Sequence, residues 1–222
     1  MENQQLWFLE NIDLNGIFCP QKSATMSHSS KTFKKGEYIY LPEENADKIY
    51  FISEGQVKIG TYSTDGKEIV KAFLSVGEVF GELSIIGEKL RRDFAIATQK
   101  TSICVISLKE MKNLMQEHNG LEYFLMKIIG NRLMKMESRL ESLVFKDSRT
   151  RIIEFLKELA TEKGIKVGYE TLIRGFLTHQ EIANLTATSR QTVTTILNEL
   201  RSKNIIYFNR QKLLIRDMEQ LV

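Results

Sequence analysis

The sequence is poor in the residues from which metal sites and disulfide frameworks are built. Its 222 residues include two cysteines, three histidines, two prolines and one tryptophan. Cys19 and Cys104 are far apart and form no paired motif, so reduced thiols are expected. Cys104 lies among Ile103, Val105 and Ile106 and reads as core. Two thiolates cannot supply the four that hold an iron–sulfur cluster. His28, His118 and His179 show no ligand spacing, which argues against a metal enzyme. No apolar run approaches the roughly 20 residues that span a bilayer, so no membrane helix is expected. The opening MENQQLWFLENIDL has no basic region followed by an apolar core, so no secretion signal is expected there and a cytoplasmic location is expected. Low-complexity tracts are missing too. With 42% apolar and 27% charged residues, the chain can form one large domain or two small ones.

The net charge of +3 is unevenly placed. Residues 147–222 hold 12 Lys and Arg against 9 Asp and Glu, whereas residues 1–146 hold 19 of each. The entire excess lies in the last third, mild support for a nucleic-acid partner there.

From Thr32 to about Leu108, short apolar runs alternate with turn signals such as Lys35-Gly36, Glu54-Gly55, Asp65-Gly66 and Val76-Gly77. The spans 37–41, 48–52, 56–63, 68–74 and 102–108 read as strands, and Asp65-Gly66 between two of them marks a hairpin. Many short strands at about ten-residue spacing predict a double-sheet jelly roll, sandwich or barrel. Before this stretch, Leu6, Leu9 and Ile12 suggest a short helix.

After Leu108 the pattern turns helical. A short helix, KEMKNLMQEH, precedes a long one from Leu121 to about Phe145. In the latter, Met126, Ile129, Leu133, Met136, Leu140 and Leu143 are spaced 3, 4, 3, 4, 3, an a/d seam suited to a second copy of the helix. Leu121, Phe124, Leu125 and Ile128 form a second stripe that could face the β domain; a single amphipathic helix buried in the monomer is the plain alternative. Asp147 or Ser148 can cap a further helix, Arg149 to Leu159. The expected domains are 1–108, a β effector domain; 109–146, a helical connector; and 147–222, a DNA-binding domain.

Within the last, two short helical patterns flank a break. Thr178 and Glu181 have capping-box spacing, and Ile182, Ala183 and Leu185 follow. The second pattern buries Val193, Ile196, Leu197 and Leu200 and turns Arg190, Gln191, Thr194, Thr195 and Asn198 outward. This is how a helix-turn-helix presents a recognition helix, although an ordinary helical hairpin would share the pattern. Two β runs, 205–208 and 213–216, flank a tip containing Arg210 and Lys212, a wing suited to phosphate. No nucleophile–base set points to an enzyme.

Two motifs in this order resemble those of the cyclic AMP receptor protein/fumarate–nitrate regulator (CRP/FNR) family, over nearly the whole chain. Gly77-Glu78-Val79-Phe80-Gly81-Glu82-Leu83-Ser84 with Arg91-Arg92-Asp93 resembles the phosphate-binding cassette of cyclic-nucleotide-binding domains. Thr178-x-x-Glu181-Ile182-Ala183 with Thr188-Ser189-Arg190-Gln191-Thr192-Val193 resembles the recognition motif. The resemblance implies an α+β chain: an N-terminal double-sheet β jelly roll, a long dimerisation helix and a C-terminal winged helix-turn-helix. It implies a homodimeric transcription regulator that reads a two-fold-related operator, with RNA polymerase as a further partner and a small effector in the β roll. Glu82 matches the ribose-binding glutamate and Arg91, or Arg92 in a shifted register, the phosphate-binding arginine. The adjacent Ser/Thr is missing, and Asp93 would repel a phosphate. Met136 and Glu137 stand where cyclic AMP binders place hydroxyls on the long helix. These departures argue against cyclic AMP, and the family's cluster cysteines and haem histidine have no match. A regulator active without ligand, or a cyclic-nucleotide-binding module of another system, is the alternative. Arg190 matches the guanine-reading arginine, while Gln191 and Thr195 replace the usual Glu and Arg. Thr178, Thr188, Ser189 and Thr192 are candidate phosphate donors that also serve as caps.

Overall fold

The computed structural model describes residues 14–19, 29–66, 68–118, 120–209 and 212–221. The N-terminal pattern of Leu6, Leu9 and Ile12 lies outside the described residues, as does Arg210. The chain divides into two compact units, Met1–Arg132 and Leu133–Val222.

Among the described residues, the first unit holds α1 (Leu14–Phe18) and eight strands: β1 (Ser29–Phe33), β2 (Tyr38–Tyr40), β3 (Lys48–Glu54), β4 (Gln56–Tyr62), β5 (Glu68–Ser75), β6 (Val79–Phe80), β7 (Phe94–Ala97) and β8 (Thr101–Ser107). A 3-10 turn, Glu82–Ser84, lies between β6 and β7. Two antiparallel four-stranded sheets result, in the orders β1-β8-β3-β6 and β2-β7-β4-β5. The predicted jelly-roll architecture is present. The Asp65-Gly66 turn joins β4 to β5, with Gly66 at φ 75° and its N–H donating to Ser63 O at 2.9 Å. Strands β1, β6 and β7 are additional to those read from the sequence; β6 has two residues and β7 four, too short for a periodic signal.

Strands β3 and β8 are buried on both faces, which is why their sequences are apolar runs rather than strict alternations. Tyr50, Ile52, Ile103 and Val105 point into the core between the sheets, with Val57, Leu74, Phe80 and Ala95. Their neighbours Ile49, Phe51, Cys104 and Ile106 point the other way. That outer face is covered by Phe18, by Met111 and Leu114 of α2 (Leu108–Glu117), and by Leu121, Phe124 and Leu125 of α3 (Leu121–Phe145). The second stripe of the long helix thus packs on the β roll. Ser107 and Glu110 close a capping box at the start of α2.

The expectation of two separate thiols is corrected here. Cys104 lies on the outer face of β8, and Cys19, the residue after α1, is disulfide-bonded to it, with Cα atoms 5.7 Å apart. The bond lies beside Phe18, whose ring stacks on Phe51 at 5.3 Å. Sequence distance conceals such a pair because Cys19 and β8 meet only through the tertiary fold.

The second unit holds α4 (Ser148–Lys163), β9 (Ile165–Val167), β10 (Glu170–Arg174), α5 (His179–Leu185), α6 (Arg190–Ser202), β11 (Ile206–Phe208) and β12 (Lys212–Ile215). Asp147 caps α4, its carboxylate accepting from Thr150 N at 2.7 Å. The sheet order is β11-β12-β10-β9. One core joins Ile152, Ile153 and Leu156 of α4 to Ile182 and Ala183 of α5, to Val193, Ile196, Leu197 and Leu200 of α6, and to Leu213 and Ile215. No helix of the described residues is long and apolar enough to cross a membrane.

Candidate functional site

The segment that resembles a phosphate-binding cassette turns sharply as it leaves β6. Gly81 has φ 79°, and a Cβ there would stand 3.0 Å from Lys48 O and 3.1 Å from an Arg91 nitrogen, so both conformation and close packing favour glycine. Ser84 Oγ donates to Gly81 O at 2.9 Å, closing the 3-10 turn.

Behind this turn lies a cavity of about 50 Å³ lined by residues including Tyr40, Phe80, Glu82, Leu83, Arg91 and Asp93, with Arg132 of α3. Arg91 is 2% exposed. Its Nη1 donates to Gly81 O at 3.2 Å and its Nη2 to Lys48 O. The guanidinium lies 4.8 Å from the ring centroid of Tyr40 and 5.7 Å from that of Tyr50, and 3.9 Å from Glu88. Its Nε finds no hydrogen-bond partner among the described residues. Arg91 is therefore held by the fold itself, chiefly through backbone carbonyls.

Glu82, also buried, does not pair with Arg91. Its carboxylate accepts from Arg132 Nη1, and Arg132 Nη2 donates to Val79 O at 2.6 Å. Sequence reasoning missed Arg132, because its neighbours Asn131 and Leu133 gave no sign that this side chain turns into the β roll. Asp93 accepts from Tyr40 Oη at 3.1 Å and from Lys71 Nζ at 3.1 Å. Burial, and then the Asp93 carboxylate, raise the Tyr40 pKa above the ordinary phenol value. Arg92 points to solvent, 3.9 Å from Glu88. The lining comes from the first unit alone; Met136 and Glu137 stand exposed on the part of α3 that belongs to the second unit. As shaped, the cavity falls well short of the roughly 300–1,000 Å³ typical of ligand pockets. Arg132 already engages one oxygen of the Glu82 carboxylate from within the chain.

Of the seam on α3, Met126, Leu133, Met136, Leu140 and Leu143 are exposed in the single chain, and Ile129 is half-buried.

In the second unit, Thr178 and Glu181 close the capping box of α5. Ser189 caps α6, its Oγ accepting from Thr192 N at 3.0 Å and lying 2.8 Å from Thr192 Oγ1. Arg190 is the first residue of α6 and, with Gln191 and Thr195, is exposed on one face. Thr188 Oγ1 lies 3.0 Å from Thr186 Oγ1. Thr194 is half-buried: its Oγ1 donates to Arg190 O at 2.9 Å and lies 2.8 Å from His179 Nδ1. His179, which sequence reasoning left aside, also packs edge-on against Phe208 of β11 at 5.6 Å and so links α5, α6 and the wing. Burial, and then Arg190, lower its pKa. Lys212 is exposed at the start of β12, its N–H donating to Asn209 Oδ1 at 3.0 Å. An exposed arginine and amide leading a helix can read base edges in a major groove.

Comparison with known proteins matches both units. The family "Cyclic nucleotide-binding domain" matches residues 30–118 and "Crp-like helix-turn-helix domain" matches residues 150–222. The global nitrogen regulator of Synechocystis sp. is 28% identical over 206 residues, covering 92% of each chain. The CRP-like cAMP-activated global transcriptional regulator of Mycobacterium tuberculosis is 28% identical over 189 residues, covering 85% of this chain and 84% of its own. Among solved structures, a CooA variant from Carboxydothermus hydrogenoformans is 26% identical with a TM-score of 0.75, covering 87% of this chain and 86% of its own.

Proposed function

Because the chain belongs to the CRP/FNR family of DNA-binding transcription regulators, we propose that it works as a homodimer on a two-fold-related operator, gated by a small effector in the β roll. Double-stranded DNA is its partner, with half-sites about one turn, roughly 34 Å, apart. RNA polymerase is the second partner and the cytoplasm the place of action. Residues 1–108 serve as effector domain, 109–146 as dimerising connector and 147–222 as the reading head. The observation that carries the reading is the face of α6, where Arg190 and Gln191 stand exposed directly after the Ser189 cap. Thr178, Thr188, Ser189, Thr192 and Lys212 surround it as phosphate donors, and Thr194 acts by holding His179. Dimerisation rests on the exposed seam of α3, a continuous apolar stripe that a second copy would cover.

The effector is not cyclic AMP in this proposal. Arg91 is engaged by backbone carbonyls, Asp93 places a carboxylate beside it, and Arg132 occupies Glu82. The same closure favours a second reading, a regulator active without ligand, because the pocket's charges are already compensated from within the chain. Selecting bound sequences from random DNA, with and without cyclic nucleotides, tests the DNA reading and the exclusion of cyclic AMP. A palindromic consensus that is indifferent to cyclic AMP is expected; a consensus obtained only with cyclic AMP defeats the effector assignment. Arg190→Ala should cost about 1–3 kcal/mol of specific binding and relax one base position. Unchanged sequence discrimination would reject the reading of α6.

A further inference from the structure

The turn between α5 and α6 closes a helix without the residue such closures favour. Thr186 is the last cap residue of α5, and Ala187 follows with φ 49°. Thr188 N donates to Ala183 O at 2.9 Å, the six-to-one bond of a Schellman closure. Glycine usually fills that left-handed position, because a Cβ crowds the following carbonyl. Ala187 is therefore held there by its surroundings.

Arg151, in the first turn of α4, is the side chain that grips it. Its Nε donates to Thr186 O at 2.9 Å and its Nη2 to Ala187 O at 3.1 Å. These carbonyls belong to the two peptide planes on either side of the Ala187 Cα. Binding both to one planar guanidinium fixes their relative orientation, which is what φ and ψ of Ala187 describe. The charge also meets the carbonyl end of α5, where the helix dipole favours a cation. Arg151 Nη1 donates to Lys146 O at 2.7 Å, and Nη2 lies 3.5 Å from Ser148 Oγ. The same fork thus holds the residue that follows α3. Thr186 Oγ1 donates to Ile182 O at 2.8 Å and secures the turn from inside.

Recognition helix α6 begins three residues after Ala187. A change of about 10° in that turn would move the far end of this 13-residue helix, roughly 20 Å long, by about 3 Å. We propose that Arg151 is a positioning residue for DNA reading. It holds Ala187 left-handed, thereby sets the approach of α6, and links that setting to the chain leaving α3. It acts through the turn and touches no base.

The test is a double-mutant cycle on the full chain, using the operator selected by the unmutated protein and an unrelated duplex at the same salt concentration. Arg151→Ala should weaken operator binding on the order of 30-fold, the scale of a lost charged hydrogen-bond set, with binding to unrelated DNA changed less than about threefold. Glycine reaches the left-handed region without help. The same Arg151→Ala change made in an Ala187→Gly background should therefore lose at least about fivefold less. Arg151→Lys keeps the charge but not the fork and should lose most of the operator affinity. It carries the test if thermal melting shows the alanine variant unfolded at the assay temperature. An equal loss in the alanine and glycine backgrounds overturns the proposal. So does a parallel loss on both DNAs, which would make Arg151 a phosphate contact or a purely structural support, and so does full recovery with lysine. If the unmutated chain selects no sequence, the DNA reading of α6 itself falls, a separate result.

Discussion

Truncating Leu133 and Leu140 to alanine separates a dimer seam from a merely exposed helix face. The two side chains are 56% and 63% exposed in the single chain. Full burial of a leucine contributes about 1.5–3 kcal/mol. Covering the uncovered shares of both therefore contributes about 2–4 kcal/mol per chain, and about twice that per symmetric dimer. At about 1.4 kcal/mol per decade, the double variant should raise the dimer Kd by roughly three to five decades. The same truncation in a lone helix face should change stability by no more than about 0.5 kcal/mol, and alanine supports the helix as well as leucine does. Sedimentation velocity over a dilution series reads the association, and a thermal melt at low concentration checks that each chain stays folded. A parent protein that sediments as a monomer at every concentration, or a variant Kd within tenfold of the parent's, would refute the dimer argument. Operator affinity should fall with association, because two reading heads held together bind as one.

Arg132→Ala leaves the buried Glu82 carboxylate without its cation and should destabilise the first unit by about 3–5 kcal/mol in urea unfolding, with Arg132→Lys recovering part of that; an unaffected midpoint would show that the pair contributes nothing. Reducing the Cys19–Cys104 bond removes a cross-link across 85 residues, for which chain entropy sets an upper scale of about 4–5 kcal/mol. The melt should shift down with reductant and become insensitive to it in a Cys19→Ser/Cys104→Ser variant. Glu199 accepts from Arg149 and Lys203, which lower its pKa from 4.5 to about 2. A depressed carboxylate contributes stability above its unfolded value, so that contribution should fade as pH drops from about 4.5 towards 2. Glu199→Gln should flatten that part of the stability profile, and an unchanged profile would remove the assignment.

Much of this molecule was legible in the sequence. The 3-4 spacing from Met126 to Leu143 marked the long helix, whose observed span, Leu121–Phe145, follows the pattern. Thr178 with Glu181 marked the start of α5 because a capping box is satisfied within four residues. Asp65-Gly66 marked a hairpin because its backbone demands are local. Arg190, Gln191 and Thr195 share a face because a helix of known period fixes which residues point together.

Tertiary structure decided whatever depends on segments far apart in the chain. It joined Cys19 to Cys104, gave Glu82 to Arg132 rather than to Arg91, turned the Arg91 guanidinium onto carbonyls from Lys48 and Gly81, and folded Thr194 back onto His179. It also made Arg151, an unmarked residue of an amphipathic helix, the holder of the Ala187 turn. Periodicity and caps are written in neighbours a few residues apart, so the chain alone determines them. The partner of a buried charge is set by which distant backbone the fold brings within hydrogen-bonding distance, and local pattern carries no record of that.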